Sequence, residues 1–226
     1  DRFEMHAAAL AALPFNIPVA HIHGGELTQG AMDDALRHSI TKLSHLHFVA
    51  TEDYRRRLLQ MGEEPWRVIV SGAPSLDNLH DIKLLDRREL EEQFDLHLDS
   101  NPLLVTYHPV TLENEDNVWQ VKELLEALPE FNFPVVFTAP NADTNGRVIT
   151  GMLEEFIGSN PEAQMVKTFG TQGYFSLMEY AAVMVGNSSS GIIEAQSFSL
   201  PVVNIGTRQK GRTRASNVID VNYGRQ

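Results

Sequence analysis

Apolar positions along the chain fall into short β-branched runs alternating with longer amphipathic stretches, whose apolar side chains recur three and four residues apart. Residues 4–13 (EMHAAALAAL) predict a helix that Pro14 and Asn16 end. Residues 17–23 predict a buried strand closed by Gly24-Gly25. Residues 32–44 place Met32, Leu36, Ile40 and Leu43 on one side of a helix. Residues 47–50 read as a strand, and Thr51 as the N-cap of a helix carrying Tyr54, Leu58 and Leu59. Residues 67–72 form a strand ending at Gly72. A polar helical stretch, 77–101, reads as a surface connection. A second series then begins. Strands are expected at 102–107, 135–138, 166–168, 183–187 and 202–205, with helices at 117–128, 146–157, 173–182 and 191–198. Strands alternating with helices mean parallel sheets covered on both faces. The fold class is therefore α/β, with two Rossmann-like lobes, 1–80 and 81–226.

Composition narrows the function. The chain has 226 residues, 42% apolar and 21% charged, an ordinary globular balance that can bury a sizeable core. Thirty acidic against 18 basic residues give a net charge of −12, which argues against nucleic acid as a partner. A phosphate-bearing small molecule needs only a local positive field and stays open. There is no Cys, so disulfides, thiolate nucleophiles and zinc–thiolate sites are excluded. No run of 18 apolar residues offers a membrane span. The opening Asp1-Arg2-Phe3 reads as a start within a longer protein, and a cytoplasmic address is the default expectation.

Five motifs follow predicted strands, where open α/β sheets bind ligands. Residues 186–194 (GNSSSGIIE) combine small residues, serine hydroxyls and an expected helix N-terminus, a setting that suits phosphate. Glu194, one turn in, is placed to accept ribose hydroxyls. The plainer reading is a serine cap with a capping-box Glu. Residues 206–212 (GTRQKGR) gather Arg208, Lys210 and Arg212 between glycines, a phosphate loop or a solvated one. In Tyr107-His108-Pro109, Pro109 holds His108 extended at a strand end, as an acid/base or phosphate donor or as a structural residue. In HIHGGE (21–26), His21 and His23 point the same way; a metal pair is one reading, without a third ligand. Glu26, Asp33 and Arg37 read instead as an acid/base and sugar-holding cluster, against a solvated first turn for Asp33 and Asp34. Asn141, in Pro140-Asn141-Ala142-Asp143, either bonds a sugar or base or makes an Asx-turn. Phe169, Tyr174 and Phe175 either stack on a base or belong to the core. His45-Leu46-His47 precedes a strand and reads as structural.

Together, DRFE, HIHGGE, the run from Asp33 to His45, YHPVT, PNAD, GNSSSGIIE and GTRQKGR occur in that order over essentially the whole chain. The chain so resembles the hydrolysing UDP-N-acetylglucosamine 2-epimerases. The resemblance implies a glycosyltransferase-B-like fold, two Rossmann-like domains around a cleft, the second binding UDP. It implies conversion of UDP-N-acetylglucosamine and water to N-acetylmannosamine and UDP, by elimination to a glycal and then hydration. No cofactor and no metal is implied, and a homo-oligomer, dimer or tetramer, is. By position, Asp1 and Asp33 match catalytic carboxylates and His108 the family histidine. Arg2 and Asn141 match substrate contacts, and Ser188, Ser189, Glu194 and Arg208 match UDP contacts. Family members have further strands before this segment and helices after it, so the first lobe is expected to be incomplete and the last helices missing. One departure matters: His23 stands where sialic-acid members often carry Glu. The HIHGGE form is similar to that of bacterial relatives acting on UDP-2,4-diacetamido-2,4,6-trideoxyhexoses, so that sugar is the alternative substrate. His23 or Glu26 then takes over the base. The same motifs also admit a nonhydrolysing epimerase or a non-catalytic nucleotide-sugar binding module.

Overall fold

The computed structural model describes residues 2–29, 32–110, 116–140 and 146–224. Asp1 and Asn141 therefore lie outside the described residues. The chain divides into two units, Asp1–Asp77 with Lys210–Thr213, and Asn78–Gln209 with Arg214–Gln226.

In the first unit, α1 (Phe3–Ala12), β1 (Ala20–Ile22), α2 (Asp33–Leu43), β2 (Leu46–Val49), α3 (Glu52–Gln60) and β3 (Val68–Val70) alternate. The strands make a parallel sheet in the order β1-β2-β3. Thr51 caps α3 as its sequence predicts, its side chain accepting from Tyr54 N at 3.4 Å. Val49, Tyr54, Leu58 and Val68 form the core of α3 against the sheet. Such side chains contribute roughly 1.5–3 kcal/mol each on full burial. The predicted strand at 17–23 is only partly buried. His21 faces inward, but Ile22 is 53% exposed, because strand side chains alternate between faces.

The second unit holds α4 (Asn78–Asp81), α5 (Arg87–Phe94), β4 (Leu103–Thr106), α6 (Asn117–Ala127), β5 (Val135–Thr138), α7 (Gly146–Ser159), β6 (Ala163–Val166), α8 (Gly170–Tyr180), β7 (Val183–Gly186), α9 (Ser190–Ile193), β8 (Val202–Ile205) and β9 (Val218–Val221). All six strands are parallel, in the order β6-β5-β4-β7-β8-β9. This is the doubly wound Rossmann order, which reverses direction between β4 and β7. Alternate residues of β4 feed two separate cores. Leu104 joins Met184, Leu177 and Leu90 on one face, while Leu103 and Val105 join Val121, Phe137 and Ile149 on the other.

Four details differ from the sequence expectation. The stretch 77–101 is no mere surface connection: α5 packs on α8, and Leu90 and Leu98 are buried in the second unit's core. Strand β6 begins three residues before the predicted strand, at Ala163. Its Gln164, which breaks the apolar pattern, bonds the backbone of His97 through both Oε1 and Nε2. Strand β9 has no counterpart among the predicted strands, because it is an edge strand with Ile219 66% exposed. The predicted helix over 191–198 is a single α-turn, α9, followed by a 3-10 segment, Ala195–Phe198. There the backbone bonds tighten, as Ser197 N donates to Glu194 O, and Ala195 is drawn fully into the core.

Candidate active site

The first unit gathers a buried polar cluster at the carboxyl end of β1. The chain leaves that strand through His23, whose φ of 63° lies in the left-handed region that a non-glycine residue adopts at a cost of roughly 1–2 kcal/mol. Gly25 follows with φ 79°, and a Cβ there would sit 2.6 Å from the Tyr54 carbonyl oxygen, so only glycine fits. The turn brings His23 Nδ1 to 2.7 Å from Glu26 Oε1. An ionised carboxylate only accepts, so the imidazole Nδ1–H is the donor. The second carboxylate oxygen, Glu26 Oε2, takes Arg212 Nη1 at 3.0 Å, and both side chains are almost wholly buried. Arg212 also donates from Nε to Leu27 O at 2.8 Å. Thr213 anchors the same segment, its N–H donating to the Tyr54 hydroxyl and its own hydroxyl to Asp53 Oδ2 at 3.1 Å.

Helix α2 closes the cluster. Arg37, buried, donates to Glu26 O at 3.1 Å and to Thr28 Oγ1 at 3.0 Å. Asp34 accepts from Thr28 N at 3.0 Å and faces Arg37 and His38. Asp33 opens the helix one residue earlier. Asp34, which sequence reasoning offers only as part of a solvated turn, thus joins this hydrogen-bonded frame. The expectation that His21 and His23 point the same way fails. His21 stays in the strand and contacts Thr41 Oγ1 at 3.2 Å, whereas the left-handed turn at His23 redirects its ring to Glu26. No group of three metal-ligating side chains converges among the described residues. Arg2 is exposed, 3.9 Å from Glu4.

The second unit builds its cluster at the switch point between β4 and β7. Gly186, with φ 139°, passes so close to β4 that a Cβ would lie 2.0 Å from Thr106 O. That approach lets buried Asn187 pair with His108 like a backbone, accepting from His108 N at 2.7 Å and donating to His108 O at 2.8 Å. The Asn187 carbonyl in turn accepts from Arg208 Nη1 at 3.1 Å and Gln209 Nε2 at 2.7 Å. Asn187, the Arg208-Gln209 segment and the His108 turn so meet at one place in the second unit. Within the second motif the cations separate, Arg208 lying in this cluster and Arg212 against Glu26. The helix-dipole argument for Ser188 and Ser189 weakens, because α9 is too short to build a dipole. Ser189 makes no side-chain cap bond. The donors of this region suited to an anion are the Ser188 and Ser189 hydroxyls and the Arg208 guanidinium. Phe169 and Phe175 are core residues, and Glu194 lies where α9 ends. No helix among the described residues is long and apolar enough to cross a membrane.

Two histidines, His21 and His108, are held neutral. Burial, then the Arg208 charge, pushes His108 down to about 3. Burial, then neighbouring His47, pushes His21 down to about 4. Unfolded histidine titrates near 6.5, so below that pH the unfolded chain takes protons that the folded chain refuses. Stability is therefore expected to fall as pH drops from about 6.5 towards 4, by on the order of 2 kcal/mol per histidine at pH 5. Urea midpoints from pH 7 to 5 read this directly. Replacing both residues by Gln should flatten the fall, and an unchanged slope would remove these histidines as its cause.

The comparisons with known proteins agree with this architecture. A profile of the family described as UDP-N-acetylglucosamine 2-epimerase matches residues 1–226. The chain belongs to the UDP-N-acetylglucosamine 2-epimerase family. It is 45% identical over 222 residues to a Campylobacter jejuni protein described as a GDP/UDP-N,N′-diacetylbacillosamine 2-epimerase (hydrolyzing), covering 97% of this chain and 58% of that protein. It is 42% identical over 221 residues to a Legionella pneumophila UDP-N,N′-diacetylbacillosamine 2-epimerase (hydrolyzing), covering 98% and 58%. The chain thus spans less than three fifths of the length of these relatives. A Methanocaldococcus jannaschii UDP-GlcNAc 2-epimerase structure superposes with a TM-score of 0.76 at 20% identity, covering 97% of this chain and 62% of that one. That likeness shows the fold, α/β with parallel sheets of the glycosyltransferase-B type.

Proposed function

We propose that the whole protein is a hydrolysing 2-epimerase of a UDP-2,4-diacetamido-2,4,6-trideoxy sugar, with the His23–Glu26 pair as its proton-transfer group. The observation that carries the reading is the 2.7 Å contact of His23 Nδ1 with a carboxylate that buried Arg212 grips from its other side. An acid/base pair needs its imidazole held in one tautomer and one orientation, and a buried, doubly bonded carboxylate supplies both. The Asn187–His108–Arg208 cluster supplies the other requirement. A diphosphate leaving group gains negative charge as its bond to C1 breaks, and a fixed guanidinium and hydroxyl stabilise that charge. In the elimination, the base takes the C2 proton, the C1–O bond breaks, and UDP departs. Water then adds at C1 and a proton returns to C2 from the opposite face.

The sugar is the point at which the sequence expectation moves. UDP-N-acetylglucosamine is the first substrate that the motifs suggest, and the diacetamido sugar the second. The Campylobacter and Legionella relatives, 45% and 42% identical over nearly all of this chain, both carry N,N′-diacetylbacillosamine, a 2,4-diacetamido-2,4,6-trideoxy sugar, in their names. The diacetamido sugar is therefore the better supported. The test is initial rates of UDP release from each sugar nucleotide by the full-length protein. The diacetamido substrate should turn over at least about tenfold faster, since a polar group built into a site discriminates strongly against its absence. Equal rates, or a preference for UDP-N-acetylglucosamine, would restore the first expectation.

A further inference from the structure

We propose that Tyr174 is a positioning residue, the middle of a one-way chain of hydroxyls that leaves the Ser188 hydroxyl as an obligatory donor to a phosphoryl oxygen. The proposal rests on the nucleotide reading above and deepens it.

Five hydroxyls lie in line across the second unit. Thr138, at the end of β5, donates to Thr106 Oγ1 at 3.0 Å. Thr106 Oγ1 lies 3.3 Å from the Tyr174 hydroxyl, which reaches across from α8. Tyr174 lies 2.9 Å from Ser190 Oγ, and Ser190 Oγ lies 2.8 Å from Ser188 Oγ. Each hydroxyl has a single proton, so the chain has few ways to be wired. If Tyr174 gave its proton to Thr106, then Ser190 would have to donate to Tyr174 and Ser188 to Ser190. Buried Thr106 would then hold a proton with no acceptor among the described residues, an unmade hydrogen bond that burial makes costly. Thr106 therefore donates to Tyr174, and the buried phenol in turn donates to Ser190. Ser188 Oγ already accepts from Ser190 N, and we assign it as acceptor from Ser190 Oγ too, so that the chain runs from Thr138 through Thr106, Tyr174 and Ser190 to Ser188.

Ser188 is then the end of the line. Its oxygen accepts from Ser190 Oγ and also, at 3.4 Å, from Ser190 N. Its own proton is the only one the chain does not consume. Burial raises the Tyr174 phenol above its ordinary value, so it keeps its proton at neutral pH and the chain stays intact. Bonds in such a series polarise one another in one direction, which strengthens the last donor. A donor that the chain leaves unspent, in the cluster that holds Arg208, is matched to an anionic oxygen. Tyr174 itself need not touch the ligand.

The experiment measures UDP and uridine affinities of the full-length protein by calorimetry and NMR titration. Tyr174→Phe keeps the ring and removes the hydroxyl. It should weaken UDP about five- to tenfold, the value of one or two hydrogen bonds, and leave uridine unchanged. Ser190→Ala cuts the chain one step nearer and should weaken UDP by a similar factor, which keeps the proposal testable if Tyr174→Phe folds poorly. In a Ser188→Ala background, Tyr174→Phe should add nothing. If Ser188→Ala weakens UDP while Tyr174→Phe and Ser190→Ala do not, the chain is refuted and the phosphate reading survives. If Ser188→Ala binds UDP as the parent does, the phosphate role of this loop fails and takes the proposal with it.

Discussion

His23→Asn in the full-length protein is expected to lower kcat by about a hundredfold or more, with UDP affinity unchanged. Asn is chosen because it tolerates the left-handed backbone at this position, φ 63°, so that the loss reports the imidazole and not a collapsed turn. Glu26→Gln should cost less, about tenfold. Its amide oxygen still accepts from His23 Nδ1, but the negative charge that stabilises a protonated imidazole is gone. Steady-state kinetics with the diacetamido substrate, paired with UDP calorimetry, separate the proton-transfer defect from a binding defect. A His23→Asn variant within about threefold of the parent kcat would take His23 out of the reaction.

The second large effect is on stability. Glu26 and Arg212 are 4% and 8% exposed, and their side chains meet at 3.0 Å. A buried pair of this kind need not add stability as a pair, because both charges lost their water. Removing one partner is different, since it strands the other charge in a poorly polar interior. Arg212→Met is therefore expected to destabilise the protein by about 3 kcal/mol or more, read as a lowered urea midpoint. Adding Glu26→Gln to that variant should recover part of the loss, because no charge is then stranded. A single variant as stable as the parent, or a pair of strictly additive losses, would mean that the contact carries no coupling. The segment Lys210–Thr213 is otherwise tied to the first unit through Thr213 with Asp53 and Tyr54. Loss of Arg212 therefore loosens a segment whose neighbours Arg208 and Gln209 hold the Asn187 carbonyl in the second unit.

Strands and helices are legible in the sequence where burial is symmetrical. Strands β5 and β8 are short, predominantly β-branched runs, and both fall where the apolar pattern puts them. The pattern fails where a polar residue stands in a strand for a structural reason, as Gln164 does in β6, or where a strand is an exposed edge, as β9 is. The motifs following β1, β4, β7 and β8 are readable from residue type. Their partnerships are not, because contact between distant segments leaves no local periodicity. Arg212 and Glu26 are far apart in sequence, and nothing in either neighbourhood names the other. The available signal is indirect: a carboxylate beside a double glycine at an apolar strand end needs a cation, and the chain has few to spare. Tyr174 is hidden by its ring, which looks like core and is accompanied by Phe169 and Phe175, which are core. Asp34 is hidden by Asp33, since two adjacent acids at a helix start look equally solvated until Thr28 N is found bonded to one of them.

The incubation that compares substrates is most informative in deuterated water, followed by proton NMR. Free UDP and a 2-epimerised diacetamido sugar carrying deuterium at C2 are expected, because the proton removed there is replaced from solvent. A product that retains the original hydrogen at C2, or an epimerised sugar still joined to UDP, would contradict this course.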